Sequence, residues 1–131
     1  MIRAALISLV VMTATAQAAD LRPAPAYYTE TVFAVTMAEA LAQGCGQVGI
    51  NFGAIQERMT MLEAQLEEDG FSTETPFNQM IDPSATFGAM QRDFLARYPI
   101  EGAGSEAVCG AAASEISQET LIGSLLMEAP R

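Results

Sequence analysis

The stretch SEAVCGAAASEISQETLIGSLLM, residues 105–127, decides how the rest of the chain is arranged. Ser105 stands where a helix N-cap would, and Glu106 puts a carboxylate in the first turn, where the helix dipole favours it. Beyond them Cys109, Ala112, Ala113, Ile116, Thr120 and Gly123 recur three and four residues apart, a narrow stripe of small groups along one helix face. Small side chains let a second helix approach closely, and a disulfide at Cys109 requires that closeness. The second half changes character. Leu121, Ile122, Leu125, Leu126 and Met127 go nearly all the way round the same expected helix.

The only other cysteine is Cys45, at the end of the first helical pattern. There Thr29 is the expected N-cap, Glu30 fills the first turn, and Phe33, Met37, Ala40, Leu41, Gly44 and Cys45 follow at helical spacing. Cys45 therefore continues an apolar stripe and reads as a buried structural sulfur. Two sulfurs allow one connectivity, Cys45 to Cys109, joining the first helix to the last. For a loop of that length chain-entropy arithmetic gives about 4 kcal/mol. Set against a typical domain stability of roughly 5–15 kcal/mol, such a bond decides whether the fold survives.

A disulfide needs an oxidising compartment, and the N-terminus supplies the route to one. Arg3 precedes the apolar run Ala4 to Val11, and small residues follow from Thr13 to Ala19. This is the order of a secretory signal peptide, and Ala16-Gln17-Ala18 sets its cleavage before Ala19. The expected organisation is a signal peptide over residues 1–18, an extended leader over 19–28 held out of helix by Pro23 and Pro25, and a single helical domain over 29–131. A membrane-spanning helix needs roughly 20 apolar residues, and no run in the mature chain is that long. The expected location is the periplasm.

Between the cysteine-bearing helices the chain reads as helix throughout. Gly44, Gly46 and Gly49 make a turn; lacking a following lysine, they are no phosphate loop. Phe52, Ile55, Met59, Leu62 and Leu66 form one stripe from Asn51 onward, and Gly70 is placed to end that helix with Phe71 folding back on Leu66. Thr75-Pro76 and Asp82-Pro83 each signal a helix start; Phe87, Met90, Phe94 and Tyr98 stripe the second, and Tyr98-Pro99 ends it. No strand-like alternation appears. The expected fold is all-α: an irregular bundle of four main helices, with room for one short extra, and one disulfide joining the first and last.

A resemblance emerges from these residues. A cysteine closes the first helix, Gly70-Phe71-Ser72 follows the second, Cys109 opens the last, and Glu115-Ile116 and Ile122-Gly123-Ser124-Leu125-Leu126 come after it. The order, from about Val32 to Leu126, resembles domain-of-unknown-function family 5333, small exported alphaproteobacterial proteins. The resemblance implies one helical domain with a disulfide and assigns no activity. Only Cys45 and Cys109 carry over as residues with a role. The family often carries a basic residue after its Leu-Leu pair, where this chain has Met127.

Composition removes most chemistries. The chain has 131 residues, no histidine and no lysine, so histidine bases, lysine Schiff bases and Ser-His-Asp triads are absent. The cysteines are too far apart in sequence for a Cys-x-x-Cys redox pair. Zinc would want histidine or several thiolates, and calcium an alternating Asp/Asn loop that Glu67-Glu68-Asp69-Gly70 lacks; of the methionines that could offer copper a site, Met1 and Met12 lie in the signal and Met37, Met59, Met80 and Met90 on core stripes. No cofactor and no enzymatic activity are expected. Signal cleavage would leave 5 arginines against 16 carboxylates, a net charge of −11. So acidic a chain repels nucleic acid and is expected as a monomer or weak dimer.

Two functions fit. The first is a periplasmic interaction or structural module, with Leu121, Ile122, Leu125, Leu126 and Met127 as the candidate surface for a protein partner, unless the leader with Tyr27 and Tyr28 covers it. The second is an acid-responsive holdase chaperone. Below about pH 4 the carboxylates would lose their charge and loosen the helices while the disulfide limits unfolding.

Overall fold

The first helix, α1 (Ala26–Gly44), starts a turn earlier than its sequence suggests. Pro25 in extended conformation is its N-cap, and the Thr29 hydroxyl donates instead to the Ala26 carbonyl (3.1 Å) from inside the helix. Proline is well suited to a helix entry because its missing N–H would have no partner there. Tyr27 and Tyr28 therefore belong to α1 and not to the leader. This computed structural model describes residues 20–129, so the expected signal peptide and its cleavage point before Ala19 lie outside the described residues.

Cys45 caps α1, and a three-residue strand β1 (Val48–Ile50) follows. Helix α2 (Phe52–Glu68) is capped by Asn51, whose side-chain oxygen accepts the Ala54 N–H at 3.1 Å. It ends as its sequence indicates. Gly70 adopts φ 78°, the Phe71 N–H donates to the Leu66 carbonyl at 2.8 Å and the Gly70 N–H to Glu67 at 3.0 Å, the two bonds of a Schellman motif. A 3-10 turn (Pro76–Gln79) and α3 (Ser84–Arg97) come next; Asp82 steadies the entry to α3 by accepting from the Ser84 N–H at 3.0 Å.

The last expected helix is two pieces. Helix α4 (Ser105–Ser117) has Gly104 rather than Ser105 at its N-cap, and it stops at Ser117. The short α5 (Leu121–Ser124) and the strand β2 (Leu126–Glu128) follow. Glu119 causes the break. It takes φ 52°, the left-handed conformation that closes a Schellman motif, with the Glu119 N–H on Ile116 at 3.1 Å and the Thr120 N–H on Glu115 at 3.3 Å. The Thr120 hydroxyl then caps α5 by accepting the Gly123 N–H at 3.0 Å.

Redirected in this way, the chain brings β2 alongside β1 in antiparallel register, Val48 opposite Glu128, Gly49 opposite Met127 and Ile50 opposite Leu126. Strands of three residues are too short for alternation to show in sequence, and this ribbon is the one sheet among the described residues, beside a single bridge between Arg22 and Met80. Four main helices, one short α5 and the Cys45–Cys109 disulfide otherwise make the expected irregular bundle.

The main core lies where α1, α3 and the α4–α5 unit meet: Ala34, Ala38 and Leu41, then Phe94, then Ala111, Ala112, Ile122, Leu125 and Leu126. Alanines on both sides set the α1–α4 distance. Gly44 completes this contact, because a Cβ there would come within 2.8 Å of Val108 Cγ1. A second cluster, Leu62, Leu66, Phe71 and Met80, sits at the far end of α2 with Ala24, Tyr27 and Tyr28 packed on it. There the leader is bound and not loose. Arg22 bridges to the Gln79–Ile81 backbone, its guanidinium donates to the Asp69 carbonyl at 2.8 Å, and it stacks 3.7 Å over the Phe71 ring.

Candidate functional site

The residues marked in sequence do not assemble into one surface. Cys45 and Cys109 are bonded, with their Cα atoms 5.0 Å apart. Of the apolar five, Ile122, Leu125 and Leu126 are buried in the main core, Leu121 is half-buried, and Met127 is 48 % exposed on the ribbon. The helical face they were to share does not exist, because the turn at Glu119 folds residues 121–126 back onto α1 and β1. What covers them is the core itself; the leader lies on the other cluster.

Charge points elsewhere. Glu115, on the inner side of α4, is 1 % exposed. It follows Val108, Ala111 and Ala112 at the spacing of a buried stripe, one residue out of phase with the stripe of small groups read from sequence. That spacing was the available signal, and an acidic residue on it was easily taken as solvated. Burying a carboxylate is costly unless its oxygens are paired. Oε2 accepts a hydrogen bond from the Thr120 hydroxyl, a partner delivered by the α4–α5 turn. Oε1 accepts none; it is the one buried side-chain oxygen or nitrogen without a hydrogen bond among the described residues.

The nearest cation is Arg97 at the end of α3. Its Nη1 lies 3.7 Å from Oε1, close enough for Coulomb attraction and too far for a good hydrogen bond. The side chain is 54 % exposed, and its guanidinium sits 5.6 Å from the centres of both the Phe94 and Tyr98 rings. Those rings are themselves in contact at 5.0 Å, with Phe33 edge-on to Phe94 at 6.4 Å. Arg97 thus rests on an aromatic ledge over the carboxylate.

Glu115, Arg97 and Thr120 line a groove of about 320 Å³. From α1 it takes Glu30, Phe33 and Ala34, and from α3 Met90 and Asp93. Leu121 and Ile122 close it from the α5 side, so two of the apolar residues singled out in sequence do line a groove. A larger hollow of about 700 Å³ lies against the disulfide, beside Gly46, Gln47 and Ala129. Among the described residues Glu128 is its one charged lining residue, and no residue of that lining carries a buried charge. The groove is the better candidate.

Chemically the groove can hold a donor and bind an apolar stem. No group of three or more His, Cys, Asp or Glu suited to a metal occurs among the described residues, and no described helix is long and apolar enough to cross a membrane.

The model of a family of unknown function, DUF5333, matches residues 21–127, a span that contains both cysteines and every groove residue named above. No curated protein and no solved structure matches the chain. The chain belongs to the DUF5333 family.

Proposed function

We propose that this DUF5333 protein is an exported, periplasmic, non-enzymatic interaction module whose working surface is the groove over Glu115. The observation that carries this reading is the Glu115 carboxylate: 99 % removed from solvent, on the lining of a groove, and with one oxygen left without a hydrogen bond. A carboxylate kept only to hold the fold together would be expected to have both oxygens satisfied, since an unsatisfied buried acceptor costs about 1–3 kcal/mol. The disulfide supports the compartment, because such bonds persist where thiols are oxidised. It also ties α4 to α1, the two helices that carry Glu115 and the opposite wall of the groove.

The test is capture from periplasmic extract with the wild-type chain and with Met90→Trp, which fills the groove from its α3 side. A component held by the wild type and lost by the variant is the expected result. Identical captures, or recovery of the chain from the cytoplasmic fraction only, would refute the reading. The acid-responsive holdase rests on net charge alone, and no contact described above favours it.

A further inference from the structure

We propose that the Glu115 groove binds an organic cation, a protonated amine or guanidinium carried on a short aliphatic stem. This deepens the interaction-module reading and rests on it. Three observations converge. Glu115 lines the groove and its buried Oε1 accepts no hydrogen bond, so an N–H donor that reached this oxygen would gain a charge-assisted bond. Arg97 sits over that oxygen without a close bond, at 3.7 Å, and more than half of its side chain is in solvent.

Charge then selects the sign of the ligand. Glu30, Asp93 and Glu115 line the groove against the single Arg97, leaving an excess of carboxylate. The whole chain carries −10, so its long-range field draws cations in and turns anions away. An anion seated on Arg97 would face all three acids. A neutral donor would fit but would gain none of this attraction.

Shape limits the size. A volume of about 320 Å³ falls at the small end of ligand sites. Phe33 and Met90 give apolar walls for a few methylene groups, leading to the carboxylate below. A free alkylamine and the side chain of a lysine or arginine in a partner peptide present the same chemistry, and the experiment separates them.

The full disulfide-bonded chain, labelled with nitrogen-15, is titrated with n-butylammonium, with butyrate and butanol as anionic and neutral controls, and with a blocked Ala-Lys-Ala peptide. Saturable shifts at the Phe33, Asp93 and Gly123 amides are expected with butylammonium, and none with butyrate. Glu115→Gln keeps the shape and removes the charge; it should weaken binding about tenfold. Arg97→Met removes the competing cation from an exposed position and should tighten binding, an answer that stands even if Glu115→Gln fails to fold. Tighter binding of the peptide than of butylammonium assigns a basic side chain, and weaker binding assigns a free amine. No saturable response to either cation, an equal response to butyrate, or weaker binding by Arg97→Met would overturn the proposal. A partner lost in Met90→Trp together with silence toward both cations overturns the cation and leaves the module. Cation binding with no groove-dependent capture does the reverse.

Discussion

Gly44 is packed directly against Val108, so closely that one added methyl group would come within 2.8 Å of the valine side chain. The residue after Gly44 and the residue after Val108 are the two cysteines. Close approach of α1 and α4 is thus written into the backbone, and the disulfide locks a contact that alanines and a glycine already permit. Gly44→Ala should destabilise the oxidised protein by about 1–3 kcal/mol, the range for overpacking, read from the urea midpoint.

Removing the bond itself should cost more. The double substitution Cys45→Ala and Cys109→Ala is expected to lower stability by about 4 kcal/mol. Thermal unfolding with and without reductant checks this on the wild type. Mass spectrometry under non-reducing conditions should find no free thiol, and two free thiols would remove the bond from the account.

Gly123 sits on the carbonyl end of Glu115, where a Cβ would collide with backbone. Backbone cannot swing aside as a side chain does. Gly123→Ala is therefore expected to displace α5, to destabilise by about 2–3 kcal/mol, and to disturb the Thr120 hydrogen bond to Glu115. A wild-type urea midpoint in this variant would show that α5 tolerates the displacement.

Glu119 tests the opposite sign. Its φ of 52° costs a residue with a Cβ about 1–2 kcal/mol, which glycine avoids, less what glycine adds to the freedom of the unfolded chain. Glu119→Gly should raise stability by about 1 kcal/mol, while Glu119→Ala should not. A destabilised Glu119→Gly would mean that the side chain matters more than the turn.

Tyr27 predicts behaviour in alkali. Burial first, then its 2.7 Å hydrogen bond to Asp69 and the charge there, push its phenol from 10.0 up to about 12. Between those values the folded chain keeps a proton that the unfolded chain has released, so stability falls as pH rises through this window and is unaffected by this group below it. Tyr28, raised in the same direction by burial, adds to the slope. Tyr27→Phe should flatten the alkaline decline seen in urea titrations, and an unchanged slope would discount the Tyr27 contribution.

What could be read from the sequence was local or covalent. Gly70-Phe71 closes α2 within a single turn, and two cysteines permit one bond, so neither needed knowledge of distant residues. The break after Ser117 could not be read, because the left-handed position is held by a glutamate where glycine is the usual sign. With that turn missed, Leu121 to Met127 looked like a helix end needing cover from the leader or from a partner, when most of it is core. Glu115 escaped for a related reason: a one-residue shift of phase separates the buried stripe of α4 from the stripe of small residues. Where the leader packs was left open by the sequence, because stacking of Arg22 on Phe71 joins segments far apart in sequence, which periodicity cannot register.

The ribbon of β1 and β2 has a consequence for the timing of folding. Val48–Ile50 leaves the ribosome early, and its partner Leu126–Glu128 emerges only after every residue between them. Leu125 and Leu126, which complete the main core, arrive equally late. Until then α1 lacks its full apolar cover, so a partly synthesised chain cannot complete its core even after Cys109 has emerged to meet Cys45.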